Sequence, residues 1–194
     1  MKRLIVIEGF DRSGKDTLMK DLFDMNLPNT YIYFNDLEGL PKYDKEQGDF
    51  LVWLNNFIYT QINTINELFD KYDTVIMTRL LISDEVYSLL FNREHTCIKY
   101  IDNLRKDVTI YNYCMLFNDY EEYINRLKII KDDNIQYDEH VFNKINLIYT
   151  DIIESINKVT YIINMIGYIF HIFSWTGRDE VLNNFLTLYN YDKR

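Results

Sequence analysis

The sequence predicts an α/β protein built on a doubly wound, five-stranded parallel sheet flanked by helices. Short apolar runs typical of buried strands alternate along the chain with longer segments whose apolar residues recur at helical spacing. A glycine-containing loop follows the first apolar run directly and precedes a helical segment. The 194 residues suffice for one domain with a buried core, so we predict a single domain over residues 1–194.

Five segments are predicted as strands, and the first is a continuous apolar run of the kind found at the centre of parallel sheets. They cover residues 3–8, 31–34, 74–77, 109–117 and 168–173. Ligands bind doubly wound sheets beyond the carboxyl ends of the strands. The residues that follow each strand are therefore the first candidates for function.

Helical spacing of apolar residues predicts the connecting helices. They cover residues 16–23, 49–72, 83–92, 94–105, 120–130, 139–167 and 179–188. Ser83 is the predicted N-cap of the third of these helices. A strand over residues 159–163 is the competing interpretation for the end of the 139–167 segment.

Composition excludes several classes of partner. The formal net charge is −9, and no run of Lys and Arg is present, whereas proteins that bind duplexes need clustered cations. No apolar run approaches the length that spans a membrane. Cys97 and Cys114 lack metal-ligand or redox spacing, and the first residues are too short for a signal peptide. We therefore expect a cytoplasmic protein that binds neither nucleic acid nor membrane.

The loop after the first strand has the pattern of a phosphate-binding loop, which is Gly, four residues, then Gly-Lys. Its sequence is Gly9-Phe10-Asp11-Arg12-Ser13-Gly14-Lys15-Asp16-Thr17. The two glycines allow consecutive N–H groups to turn inward around a phosphate at the positive end of the following helix. Lys15 adds a mobile cation for the outer phosphates. The position after Lys15 normally carries a Ser or Thr that ligates magnesium, but here it is Asp16, with Thr17 following.

Two segments resemble the thymidylate kinases. Residues 7–17 are similar to the EGxDRxGKST loop of that family, and Thr78-Arg79, Ser83 and Val86-Tyr87 are similar to its D-R-Y-x-x-S-x-x-A-Y segment. The layout of the remaining chain also fits thymidylate kinases and the related deoxynucleoside kinases. The resemblance implies the P-loop nucleotide kinase fold.

The resemblance also implies magnesium-dependent transfer of the γ-phosphoryl group of ATP to a deoxynucleoside monophosphate such as thymidine monophosphate. Lys15 would hold the donor phosphates, Arg12 would neutralise the moving phosphoryl group, and Asp11 would position the acceptor and the metal. Arg79 would grip the acceptor phosphate. Tyr87 would lie near its sugar or base.

Further site residues follow from the same resemblance. The implied ATP-binding residues are Gly9, Arg12, Ser13, Gly14, Lys15, Asp16, Thr17 and Arg126. Arg126 would belong to a mobile lid over residues 124–138 that also carries Lys128 and Lys131. The resemblance implies Asp11, Arg79 and Tyr87 as acceptor-binding residues, and we add Asp36, Glu38, Trp53 and Phe57 as further candidates for the acceptor at positions that depart from the family pattern. A homodimer is implied as well, with the aromatic helix faces as its contact surface.

Two departures from the family pattern concern magnesium. Asp16 replaces the loop hydroxyl, and Thr78 replaces the Asp that normally precedes the strand-end arginine. We interpret this as an exchange that keeps one carboxylate and one hydroxyl near the ion, since magnesium accepts oxygen ligands from either position. The competing interpretation is that Asp16 only stabilises the helix N-terminus as a negative charge.

Two further departures concern the acceptor. After the second strand the family carries an arginine, whereas this chain has Asp36 and Glu38. The alternative is therefore a deoxynucleoside kinase, in which one of these carboxylates deprotonates a 5′-hydroxyl. The simpler interpretation is that both residues are solvated charges in a loop. The base-reading Phe and Arg of the family have no clear equivalent, although Trp53, Phe57 or Tyr59 could supply stacking.

Two other classes stay open. Residues 36–39 match the DxxG pattern of GTP switches, and residues 143–146 resemble NKxD but lack its final Asp and lie in a periodic helical segment. The altered magnesium positions would also suit a nucleotide-binding protein without catalytic activity.

Overall fold

The computed structural model describes residues 2–34, 49–130, 137–160, 168–174 and 178–191. Its strands are β1 (Lys2–Gly9), β2 (Thr30–Tyr33), β3 (Thr74–Thr78), β4 (Val108–Leu116) and β5 (Tyr168–Ser174). Its helices are α1 (Lys15–Asp24), α2 (Asp49–Leu68), α3 (Leu81–Phe91), α4 (Tyr120–Ile130), α5 (Glu139–Thr160) and α6 (Arg178–Tyr191). Two 3₁₀ turns, Cys97–Lys99 and Ile101–Asn103, connect α3 to β4.

The five strands form one parallel sheet in the order β2-β3-β1-β4-β5. The predicted doubly wound five-stranded sheet is therefore confirmed. The chain builds β2 and β3 on one side of β1 and then crosses to build β4 and β5 on the other side. This reversal opens a crevice at the carboxyl end of β1, where doubly wound proteins bind their ligands.

Both faces of the sheet are buried, because alternate side chains of β1 enter different apolar clusters. Ile5 and Ile7 pack against residues of α1 and α6. Leu4 and Val6 pack against residues of α2 on the opposite face. This double burial explains why β1 is a continuous apolar run rather than an alternating one. A third cluster, beyond the end of β1, joins Phe10 to residues of α3, α4 and α5.

Two helix predictions were wrong in part, and both errors involve long-range contacts. The predicted helix over residues 94–105 is two short 3₁₀ turns. The buried Asp84 carboxylate accepts from the N–H groups of Thr96 and Cys97, both at 2.7 Å, and pairs with Arg93 at 2.9 Å. These bonds tie the segment to α3.

The second error concerns the start of α3. Ser83 is not an N-cap, because α3 begins at Leu81.

The predicted helices over residues 16–23, 83–92, 120–130 and 179–188 hold within a few residues of their ends, whereas α2 ends at Leu68 rather than at residue 72. Residues 161–167 of the predicted 139–167 helix lie outside the described residues. Helix α5 continues through Thr160, so residues 159–160 are helical rather than extended. The rest of that alternative strand, residues 161–163, lies outside the described residues. Within the ranges that the structure describes, no helix is both long and apolar enough to cross a membrane.

Candidate active site

The loop between β1 and α1 turns through left-handed backbone conformations. Gly9 has φ 124°, Arg12 has φ 67° and Gly14 has φ 95°. A Cβ atom at Gly9 would overlap the backbone carbonyl oxygen of Met115 on the neighbouring strand β4. Glycine is therefore required at position 9 both by its dihedral angle and by the closeness of β4.

The loop opens into a cavity of about 360 Å³ at the carboxyl end of β1. Its lining residues are Asp11, Arg12, Gly14, Lys15, Asp16, Thr17, Arg79, Arg126 and Ile130. Four of them are cationic and two are acidic, although the whole chain carries a formal charge of −9. The cavity therefore concentrates positive charge in an acidic protein, at the place where the following helix α1 directs its N-terminal N–H groups.

The Lys15 ammonium lies against its own loop. It donates to the carbonyl oxygens of Gly9, at 2.9 Å, and of Phe10, and to the Ser13 hydroxyl at 3.3 Å. Burial and the nearby charge of Arg79 lower the pKa of Lys15 to about 7. A polyanion in the cavity would offer this ammonium stronger acceptors than neutral carbonyls.

Asp11 is the centre of a polar network at the cavity. Its Oδ1 accepts from Arg79 Nη2 at 2.6 Å, and its Oδ2 accepts from the hydroxyls of Tyr87 at 3.1 Å and Tyr137 at 3.0 Å. Burial alone would raise the pKa of Asp11, but the charges of Arg79 and Lys15 and the tyrosine hydrogen bonds bring that pKa below its ordinary value. Burial and the neighbouring Asp11 raise the pKa values of both tyrosines, so their hydroxyls remain donors.

Arg79 occupies the junction between β3 and α3, with φ 51° and its N–H donating to Ile7 O at 3.1 Å. Glu8 fixes this junction from β1. One oxygen of the buried Glu8 carboxylate accepts from the N–H groups of Leu80 (2.9 Å) and Ile82 (3.1 Å). The other accepts from the N–H group of Ser83 (3.2 Å) and from its hydroxyl. Helix α3 is thus capped by a carboxylate from β1, the residue that immediately precedes the loop.

Most of the predicted site residues come together. Asp11, Arg12, Gly14, Lys15, Asp16, Thr17, Arg79 and Arg126 line the cavity, Gly9 and Ser13 belong to the same loop, and Tyr87 contacts Asp11. Arg126 is carried by α4, and residues 131–136 of the predicted lid lie outside the described residues.

Three predicted residues are not among those that line this cavity. Thr78 is buried at the end of β3 and is not among the residues that line the cavity. Trp53 and Phe57 stack on each other along α2, with ring centroids 4.7 Å apart, and Phe57 packs on the core beneath α2. Asp36 and Glu38 lie outside the described residues.

Sequence reasoning missed three residues of this region. Glu8 carried a signal, because a carboxylate at the end of an otherwise apolar strand must find donors. Nothing in the sequence indicated the position of Phe10. Its ring points away from the loop and packs against the rings of Phe142 and Tyr137, with centroids 4.9 Å and 5.5 Å away. Tyr137 carried no signal either, because it is far from Asp11 in the sequence.

The described residues offer limited ligands for magnesium. Among them, no group of three or more His, Cys, Asp or Glu side chains could hold a metal ion. A magnesium ion that arrives with a nucleotide takes most of its ligands from phosphate and water and needs one or two carboxylates. Asp16 is exposed in the first turn of α1 and lines the cavity, so it fits that requirement. Thr78 does not line the cavity, and its exchange with Asp16 stays a prediction.

No protein-family model matches the sequence, and no curated protein matches it. Solved structures do. Deoxyadenosine kinase from M. mycoides with bound dATP superposes with a TM-score of 0.63 at 15% identity, over 96% of this chain and 99% of that one. Thymidylate kinase from Candida albicans superposes with a TM-score of 0.62 at 15% identity, over 99% of this chain and 92% of that one. The chain has the fold of these nucleotide kinases.

A third solved structure widens the comparison. The YorR protein from Bacillus subtilis, in complex with phosphorylated GDP, superposes with a TM-score of 0.57 at 18% identity, over 98% of this chain and 97% of that one. The fold that the resemblance implied is thereby confirmed. At these identities the likeness concerns the fold, so the function must be inferred from the site itself.

Proposed function

We propose that the protein is a magnesium-dependent kinase that transfers the γ-phosphoryl group of ATP to a deoxynucleoside monophosphate. One observation carries this proposal: a glycine loop and four cationic side chains surround one cavity at the switch point of a doubly wound sheet. Phosphoryl transfer depends on alignment and charge neutralisation more than on covalent catalysis. The kinases among the similar solved structures support the same conclusion.

The donor side of the proposed site is the loop and α1. The N–H groups at the start of α1 would bind the phosphates of ATP, with Lys15 at the outer phosphates. Arg12 would neutralise charge on the transferred group, and Arg126 would approach from α4. Asp16 would hold magnesium as its carboxylate ligand, and the ion would supply neutralisation of the phosphate charge.

The acceptor side is built around Arg79. The Asp11 carboxylate accepts a hydrogen bond from one terminal nitrogen of the Arg79 guanidinium at 2.6 Å, at the cavity where this cation would bind the acceptor phosphate. Tyr87 lies on the same side through its bond to Asp11. Since Arg79 and the loop share one cavity, a donor and an acceptor phosphate would meet there.

A deoxynucleoside is the second candidate acceptor, and the ion pair itself favours it. Because Asp11 already offsets the charge of Arg79 at 2.6 Å, less positive charge is available for an acceptor phosphate. An uncharged 5′-hydroxyl would suit this pair, with Asp36 or Glu38 as the base. A GTP switch is disfavoured, because residues 143–146 lie inside helix α5 and not in a loop that could read guanine.

The deciding experiment is a screen of all nucleosides and their monophosphates as acceptors, with ATP and magnesium. We expect a deoxynucleoside monophosphate to turn over and Arg79→Gln to raise its KM about tenfold or more, as for a lost charged hydrogen bond. Turnover of nucleosides alone would establish the second candidate. ATP binding without turnover of any acceptor would contradict both and indicate an inactive nucleotide-binding protein.

A further inference from the structure

The two oxygens of the Asp11 carboxylate have different partners. Oδ1 accepts from Arg79, whereas Oδ2 accepts from both tyrosine hydroxyls, Tyr87 and Tyr137. The terminal torsion of an aspartate is soft, so a single partner would leave the carboxylate plane loosely defined. Two hydroxyls on Oδ2 fix that plane and direct Oδ1 at Arg79.

The two tyrosines reach Asp11 from different parts of the fold. Tyr87 lies on α3, whose start is tied to β1 by Glu8. Tyr137 precedes α5 by two residues, and its ring stands perpendicular to that of Phe10 at 5.5 Å. Helix α4, on the other side of the same connection, carries Arg126 into the cavity.

The ring and the hydroxyl of Tyr137 therefore make separable contacts. Its ring packs in the aromatic cluster around Phe10, and its hydroxyl bonds the carboxylate next to the acceptor arginine. Burial of a ring depends on area, and a phenylalanine would preserve it. The hydroxyl bonds the Asp11 carboxylate and also contacts the Tyr87 hydroxyl, and phenylalanine would remove both contacts.

We propose that Tyr137 is a positioning residue for the reaction proposed above: its hydroxyl orients the Asp11 carboxylate and, through it, the Arg79 guanidinium. The inference rests on the proposed function for its kinetic consequence and on geometry alone for its structural consequence. Removing the hydroxyl should disturb the acceptor side of the cavity and leave the loop that binds ATP intact.

The kinetic test compares Tyr137→Phe with Tyr100→Phe. Tyr100 is a matched control, because its hydroxyl donates to Asn55 Oδ1 at 3.1 Å and does not contact the cavity network. We expect Tyr137→Phe to raise the acceptor KM about fivefold to tenfold, with an unchanged Kd for ATP. This is less than the loss of a direct hydrogen bond to a charged group, because the effect on the acceptor passes through Asp11 and Arg79. An unchanged KM, an equal rise in Tyr100→Phe or an equal loss of ATP affinity would overturn the inference.

A double-variant cycle tests whether the effect passes through Asp11. If Tyr137 acts by orienting that carboxylate, Tyr137→Phe should change the acceptor KM by less than twofold once Asp11→Asn is present. A full fivefold effect in the Asp11→Asn background would show that Tyr137 acts independently and would overturn the proposal.

A structural readout separates this inference from the proposed function. The Arg79 Nε–H resonance of the full chain, assigned with Arg79→Lys, should shift or broaden in Tyr137→Phe and stay fixed in Tyr100→Phe. An unmoved Arg79 signal in Tyr137→Phe overturns the positioning role even if the protein is a kinase. A moved signal in a protein that phosphorylates no acceptor supports the positioning role and contradicts the proposed function.

Discussion

Replacing Glu8 removes the carboxylate that caps α3 from β1, and the effect on stability can be worked out from its contacts. Glu8→Ala would leave three peptide N–H groups without their acceptor, those of Leu80, Ile82 and Ser83, along with the Ser83 hydroxyl. All three residues are buried. Water would reach these donors only through the space that the missing side chain leaves.

The expected cost follows from opposing contributions. Hydrogen bonds to a charged group contribute about 1.5–3 kcal/mol each, and their loss is partly offset because the burial cost of the carboxylate disappears. Leaving the three buried N–H groups unsatisfied costs about 1–3 kcal/mol each, so after this offset we expect a net loss of about 3–5 kcal/mol for Glu8→Ala. That is a large part of the roughly 5–15 kcal/mol that stabilises a domain.

Glu8→Gln should cost less. Its amide oxygen can still accept from Leu80 and Ile82, but its NH₂ group would face the N–H donor of Ser83. We therefore expect a loss of about 1–3 kcal/mol, the cost of leaving a buried donor unsatisfied. The order of stability should be wild type, then Glu8→Gln, then Glu8→Ala.

Urea unfolding measures these differences in free energy directly. Glu121→Gln is the matched control, because Glu121 is exposed in the first turn of α4, and its effect should stay within about 0.5 kcal/mol. Burial raises the pKa of Glu8 above its ordinary value, although the hydrogen bonds from Ser83, Leu80 and Ile82 lower it in part. A Glu8→Gln protein as stable as the wild type would mean that the carboxyl is protonated, and it would refute the reasoning.

Three further predictions concern the loop. Gly9→Ala should destabilise the protein strongly and abolish ATP binding, because its Cβ would overlap Met115 O; a normal melting temperature would contradict this. At pH 8, the protein should take up about one proton when it binds MgATP, because phosphate oxygens raise the pKa of Lys15 from about 7. Calorimetry in buffers of different ionisation enthalpy measures this uptake, and the Lys15→Met variant should show none. Asp16→Ala should raise the magnesium concentration needed for half-maximal activity, whereas an unchanged requirement would exclude Asp16 as a ligand.

The sheet and the loop could be predicted because their signals are local. The apolar run of β1, the Gly9 and Gly14 spacing and the helical start at α1 lie within one short stretch of the chain. Parallel strands bring their carboxyl ends together, so the position of Arg79 near the loop also followed from the pattern.

The interior of the site could not be predicted, because its contacts join distant residues. Glu8 reaches Ser83 across 75 positions, and Tyr137 reaches Asp11 across 126. Local capping rules assigned Ser83 as the cap of α3, whereas a carboxylate from β1 performs that role. The 3₁₀ turns after α3 likewise depend on Asp84, whose long-range bonds outweigh the helical pattern of residues 94–105.

A crystal structure with magnesium and a non-hydrolysable ATP analogue tests the central claim most directly. We predict phosphate oxygens within hydrogen-bonding distance of the N–H groups of Gly14, Lys15 and Asp16. We also predict that the Lys15 ammonium leaves the Gly9 and Phe10 carbonyls and contacts the outer phosphate. A loop with no phosphate bound at saturating analogue, or a triphosphate bound away from it, would contradict the assignment of this site to ATP.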